Sequence, residues 1–121
     1  MTVSAKVAPP NSLVLIADPS DGEIPDTMGG SLIAATSSCI AVGCRSEIDG
    51  ETDFVLGAAR EVDPGNGPVF TGRLETPSRK LAVRSVVGQT ILEALVPDRV
   101  TSIRIWVNDP NEPDRVTIGI G

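Results

Sequence analysis

Carboxylates are the only chemically versatile side chains that this chain carries in quantity. It has 16 Asp and Glu against ten Lys and Arg, with no His and no Tyr. Histidine is the commonest general base near neutral pH and the usual partner of a Ser or Cys nucleophile. Without it a pair of carboxylates could still do acid–base work, so a hydrolase with an acidic dyad is the enzymatic reading. The carboxylates gather in three stretches: Asp18, Asp21, Glu23 and Asp26; Asp49, Glu51 and Asp53; and Asp109, Glu112 and Asp114. Calcium takes roughly six to eight oxygen ligands from loops of this kind. Asp49, Glu51, Asp53, Asp109 and Asp114 are therefore candidate metal ligands. Two features weigh against a metal: acidic turns are ordinarily solvated surface, and no EF-hand spacing is present. The expectation is a protein without a cofactor.

Trp106 is the other residue that stands out. In Ser102–Asn108 the aliphatic Ile103, Ile105 and Val107 alternate with Arg104, Trp106 and Asn108. Alternation places Trp106 on the face away from the core, beside Arg104 and Asn108. Trp and Arg are enriched at interface hot spots, so these three residues are candidate partner-binding residues. The competing reading is that a loop or the amino-terminal segment covers Trp106 and satisfies its indole N–H.

Other stretches carry less. Gly65-Asn66-Gly67-Pro68 lacks the Lys-Ser/Thr of a phosphate loop and reads as a turn. Thr76-Pro77-Ser78-Arg79-Lys80 has the look of a kinase site, but such short runs are common. The formal charge of −6, with only two lysines and scattered arginines, works against nucleic acid and anionic membranes. It favours a basic protein partner. Cys39 and Cys44 lie five apart and point to opposite faces of one strand, which predicts two free thiols and a reducing compartment. The first residues lack a secretory apolar stretch and no run reaches membrane-spanning length, so a cytoplasmic location is expected.

The elements that must position these residues are strands. A chain of 121 residues buries roughly two thirds of its unfolded surface and needs no metal or disulfide to fold. With two Phe and one Trp, its core must be aliphatic. Short β-branched runs separated by Gly and Pro predict strands near 13–17, 40–45, 54–58, 69–76, 80–87, 102–108 and 116–120, with 89–96 open between strand and helix. Asp49-Gly50 predicts a type I′ turn joining 40–45 to 54–58 as a hairpin. Residues 1–11 read as a loose arm, and 12–121 as one domain. The register is fixed by charge: a slip of one residue would bury Arg45, Arg73, Arg84 and Arg104. The expected fold is an all-β, antiparallel sandwich of about seven to nine strands with little or no helix.

The order of these features resembles the layout of the competence protein J family, small bacterial β-sandwiches whose named member is a nuclease inhibitor. The resemblance runs over residues 23–120, through GGSLIAATSSCIAVGC, the strand pair, VFTGRLETP, LAVRSVV, ILEALVP and IRIWVND. It lies in strand order and loop spacing, and it carries no functional residue onto a numbered position. It implies a non-enzymatic module that binds a protein, of inhibitor or immunity type; the rival reading is a module that binds calcium or a small ligand through its acidic loops. The oligomeric state stays open, a dimer being compatible.

Overall fold

Period-two alternation of aliphatic side chains decides this fold, because it gives each segment one apolar face that must be buried. The computed structural model describes residues 2–20 and 22–121. Among the described residues ten strands form: β1 (Val3–Val7), β2 (Leu13–Ala17), β3 (Ile33–Ala35), β4 (Cys39–Gly43), β5 (Thr52–Ala58), β6 (Phe70–Glu75), β7 (Lys80–Ser85), β8 (Thr90–Leu95), β9 (Val100–Val107) and β10 (Arg115–Ile120). They make two five-stranded sheets, β1-β5-β10-β9-β6 and β3-β4-β2-β7-β8. The only α-helix among the described residues is the single turn α1 (Ala59–Val62). The expected all-β sandwich is what forms. β1 and β3 are strands beyond those read from the sequence, and residues 89–96 resolve as strand β8.

Inward-facing Phe54, Leu56, Ile103, Ile105, Val116 and Ile118 of the first sheet meet Val14, Ile16, Ile40, Val42, Leu81 and Val83 of the second in one core. The four arginines stay out of it: Arg73 is exposed, and Arg45, Arg84 and Arg104 are half-buried. Cys44 belongs to this inner core, whereas Cys39, at the other end of β4, lies in a second apolar cluster with Leu15, Ala17 and Ala41 on the outer face of the same sheet. Both thiols are free.

Two expectations give way. β4 and β5 do not pair: β4 lies between β3 and β2 in one sheet, and β5 between β1 and β10 in the other. The Asp49-Gly50 segment is a crossover between sheets. Glu47–Asp49 form a 3-10 turn whose start is capped by the Ser46 hydroxyl accepting from the Ile48 N–H, and Gly50 sits at φ 127°, outside type I′ geometry. Crossing over lets both strands bury their apolar faces while each has both edges hydrogen-bonded. The second correction concerns the amino-terminal arm. Val3–Val7 pair antiparallel with β5, from Val3 opposite Leu56 to Val7 opposite Thr52. Val3, Ala5 and Val7 pack against the core. One pair, β5 with β10, is parallel, with Arg115 opposite Asp53 and Ile120 opposite Ala58.

Candidate functional site

The β4–β5 crossover and the β9–β10 connection are far apart in sequence and meet at one end of the sandwich. The parallel pairing of β5 with β10 starts both strands at that end. There the Arg45 N–H donates to the Pro113 carbonyl at 2.9 Å and the Asp53 N–H to the Asp114 carbonyl at 2.8 Å. The Arg45 guanidinium rivets the two loops together: it donates to the Asp49 carbonyl and lies 3.6 Å from the Asp114 carboxylate. Arg115 and Asp53 sit opposite each other at 4.0 Å.

The second loop is also held from within. The Asn108 side chain accepts from the Asp114 N–H at 3.2 Å and the Arg115 N–H at 3.1 Å, and donates to the Asp114 carboxylate. The Asp109 carboxylate accepts from the Asn111 and Glu112 N–H groups at 2.8 and 2.9 Å. Those two bonds, Glu112 first, lower its pKa below the usual aspartate value. Loops built this way have a main chain with little conformational entropy left to lose.

Among the described residues, seven carboxylates collect at this end, namely Glu47, Asp49, Glu51, Asp53, Asp109, Glu112 and Asp114, against Lys6, Arg45 and Arg115. All but Asp53 are exposed. Among them, at the tip of the crossover, stands Ile48, 91% exposed. The acidic loops were legible in the sequence; Ile48 was not singled out there. Its signal is a lone aliphatic residue inside the polar run Ser46–Asp53 with no alternating partner.

The predicted metal ligands Asp49, Glu51, Asp53, Asp109 and Asp114 thus share one end. Among the described residues, however, no three His, Cys, Asp or Glu stand close enough to hold a metal ion. Asp21 of the first acidic loop lies outside the described residues. Asp18 of that loop is wholly buried, a position the sequence did not predict. It accepts from the N–H and hydroxyl of Ser20 at 2.8 and 2.7 Å and from those of Ser78 at 2.7 Å each. Burial pushes its pKa up, but those four bonds together prevail and hold it at about 2. Asp18 therefore ties the end of β2 to the β6–β7 turn.

Trp106 is not the exposed anchor that alternation alone allowed. It does lie on the outer face of its sheet, but it is 2% exposed, and its Nε1–H donates to the Asn66 carbonyl at 2.9 Å. A strap formed by α1 and the loop to Val69 covers it. Gly119, on the neighbouring strand β10 two residues beyond Thr117, the partner of Trp106, makes room: a Cβ there would stand 2.8 Å from the indole and 2.9 Å from Ala59 Cα. Arg104 lies 6.0 Å from the indole centroid and donates to the Gly121 carbonyl, while Asn108 is engaged in the acidic loop. The three predicted partner-binding residues therefore form no common exposed patch. Beside the strap runs a groove of about 540 Å³, lined by Val55, Val62, Pro64, Trp106, Asn108 and Arg115 among others.

No helix among the described residues is long and apolar enough to cross a membrane. No protein-family model matches the chain, and no curated protein matches its sequence. Among solved structures it is similar to the crystal structure of ComJ, inhibitor of the DNA degrading activity of NucA, from Bacillus subtilis, with a TM-score of 0.67 and 10% identity over 98% of this chain and 93% of that one. At that identity the likeness is one of fold, and it is the fold of the family whose strand order this sequence resembles.

Proposed function

We propose that this chain is a non-enzymatic, protein-binding module of the inhibitor kind, and that its acidic end is the contact surface. The observation that carries this reading is Ile48, an aliphatic side chain 91% in water, surrounded by carboxylates on two loops that Arg45 holds together. Carboxylates speed encounter with a basic partner, and a desolvated apolar side chain then slows its release. ComJ, which shares the fold, is an inhibitor of a DNA-degrading activity. An enzyme that acts on DNA must meet its phosphates with Lys and Arg, and a surface of that kind is what an acidic end with a central anchor fits. Inhibition would be steric, by occupation of the basic surface. The two free, buried cysteines suit a reducing compartment.

The experiment is affinity capture from the host cell followed by binding kinetics on the recovered protein. Wild type is expected to recover a basic protein that high salt releases. Ile48→Ala should weaken binding by roughly tenfold or more through faster dissociation. The triple change Glu47→Gln, Asp49→Asn, Glu51→Gln should instead slow association and flatten its salt dependence. If both variants bind the recovered protein as wild type does, the acidic end is not the contact surface. Trp106→Phe serves as the comparison: with the indole beneath the strap, it should bind as wild type.

A further inference from the structure

Asn66-Gly67 is the only Asn-Gly pair in the chain, and it occupies a singular place in the fold. Both residues are exposed at the crown of the strap. On one side of them the strap is braced within itself, by the Gly65 N–H donating to the Asp63 carboxylate, and on the other it is anchored to β9, by the Val69 N–H donating to the Ile105 carbonyl. At Asn66 itself the tie is the bond from the Trp106 indole to the Asn66 main-chain carbonyl. Among the described residues the Gly67 N–H donates to no acceptor, and nothing lies within 4 Å of where a Gly67 Cβ would be. The Gly67 nitrogen is thus free to reach the neighbouring side-chain amide, with no side chain of its own to hinder it.

We propose that Asn66-Gly67 is a site of spontaneous deamidation, and that the reaction detaches the strap from Trp106. The Gly67 main-chain nitrogen, losing its proton, attacks Asn66 Cγ. An N–Cγ bond forms, the Cγ–Nδ2 bond breaks, and the side-chain nitrogen leaves as ammonia, closing a succinimide. Water then opens the ring at either carbonyl, giving aspartate or isoaspartate; the net change is water in and ammonia out, with no oxidant or reductant. In the isoaspartate product the main chain runs through Cβ and Cγ. The oxygen that accepts the indole N–H then belongs to a free carboxylate branching from the main chain, so a bond to it no longer holds the strap's peptide chain in place over the indole. The strap gains one main-chain carbon and one negative charge directly above the only tryptophan. The wall of the adjoining groove, which Pro64 and Asn66 help to form, moves with it.

The test is incubation of the intact protein at physiological temperature and mildly alkaline pH, followed by peptide mass spectrometry and tryptophan emission. A synthetic peptide spanning residues 62–70 sets the unrestrained rate. The expected result is that the protein gains the mass difference between O and NH at residue 66 over the interval in which the peptide does, and that emission shifts to the red in step. Asn66→Gln keeps the main-chain carbonyl but would need a larger ring, so it should lose both changes; Gly67→Ala should lose them too, by hindering the attack. An unmodified Asn66 in the protein after the peptide has converted overturns the site. Conversion with unchanged emission overturns the detachment.

Discussion

Asp18 illustrates how far a single residue can depart from what its type implies. A carboxylate in a polar loop ought to be solvated, yet this one is buried and met by four donors from Ser20 and Ser78. Its pKa of about 2 lies below the ordinary 3.8, so the folded state binds the proton less readily than the unfolded state. The stability this contributes is present above the unfolded pKa and is lost as the pH falls from near 4 towards 2. Asp18→Asn should therefore cost about 2 kcal/mol at neutral pH and remove that part of the acid sensitivity. Denaturant titrations of both proteins across that range check it, and parallel curves would contradict it. Gly119 is the second residue whose role comes from its surroundings. Gly119→Ala places a methyl group against the indole and Ala59, which should destabilise by roughly 1–3 kcal/mol and shift tryptophan emission to the red. An unchanged spectrum and midpoint would mean that the strap yields freely.

At the scale of elements, pairing between strands is where local reasoning ran out. The sequence marks β4 and β5 correctly as strands and marks their inward faces, but Asp49-Gly50 between them suggests a hairpin that does not form. Turn chemistry is a local preference worth a kilocalorie or so; edge satisfaction and core burial over two whole sheets outweigh it. β1 was missed for a related reason. Val3, Ala5 and Val7 alternate, but they precede Pro9-Pro10 and their partner strand lies about fifty residues on. Its contribution is testable. Removing residues 1–7 uncovers a hydrogen-bonding edge of β5 and three packed aliphatic side chains, so the melting temperature should fall by several degrees and self-association should rise. Light scattering and calorimetry measure the two effects; a truncated protein that melts with the full chain and associates no more than it does would show that β1 is dispensable.

For the whole molecule, the distribution of charge matters more than its sum. The chain carries −6 in total, and its acidic end holds seven carboxylates against three cations. On the proposed function, a basic partner approaching from any direction would be turned towards that end, provided the salt concentration leaves the field unscreened. Neutralising two carboxylates there, Glu51→Gln with Glu112→Gln, should therefore slow association more than neutralising Glu75 and Glu93, which lie outside that end. Stopped-flow association with the recovered partner at low and high salt distinguishes the pairs; equal effects would mean that net charge alone steers.

By itself the sequence determined the properties that repeat over a few residues. These are the strands, the aliphatic core face, the water-facing arginines, the separate positions of Cys39 and Cys44, and the acidic character of the turns. Alternation has a period of two and is readable in a window of six. Only the tertiary structure decided what lies against what: that 44–53 meets 108–115, that Ile48 is left in water among carboxylates, and that a strap seals Trp106 with the carbonyl of Asn66. Those outcomes depend on which distant edges pair and which faces remain uncovered once the core is filled. Long-range burial decides that competition, and no short stretch of the chain encodes it.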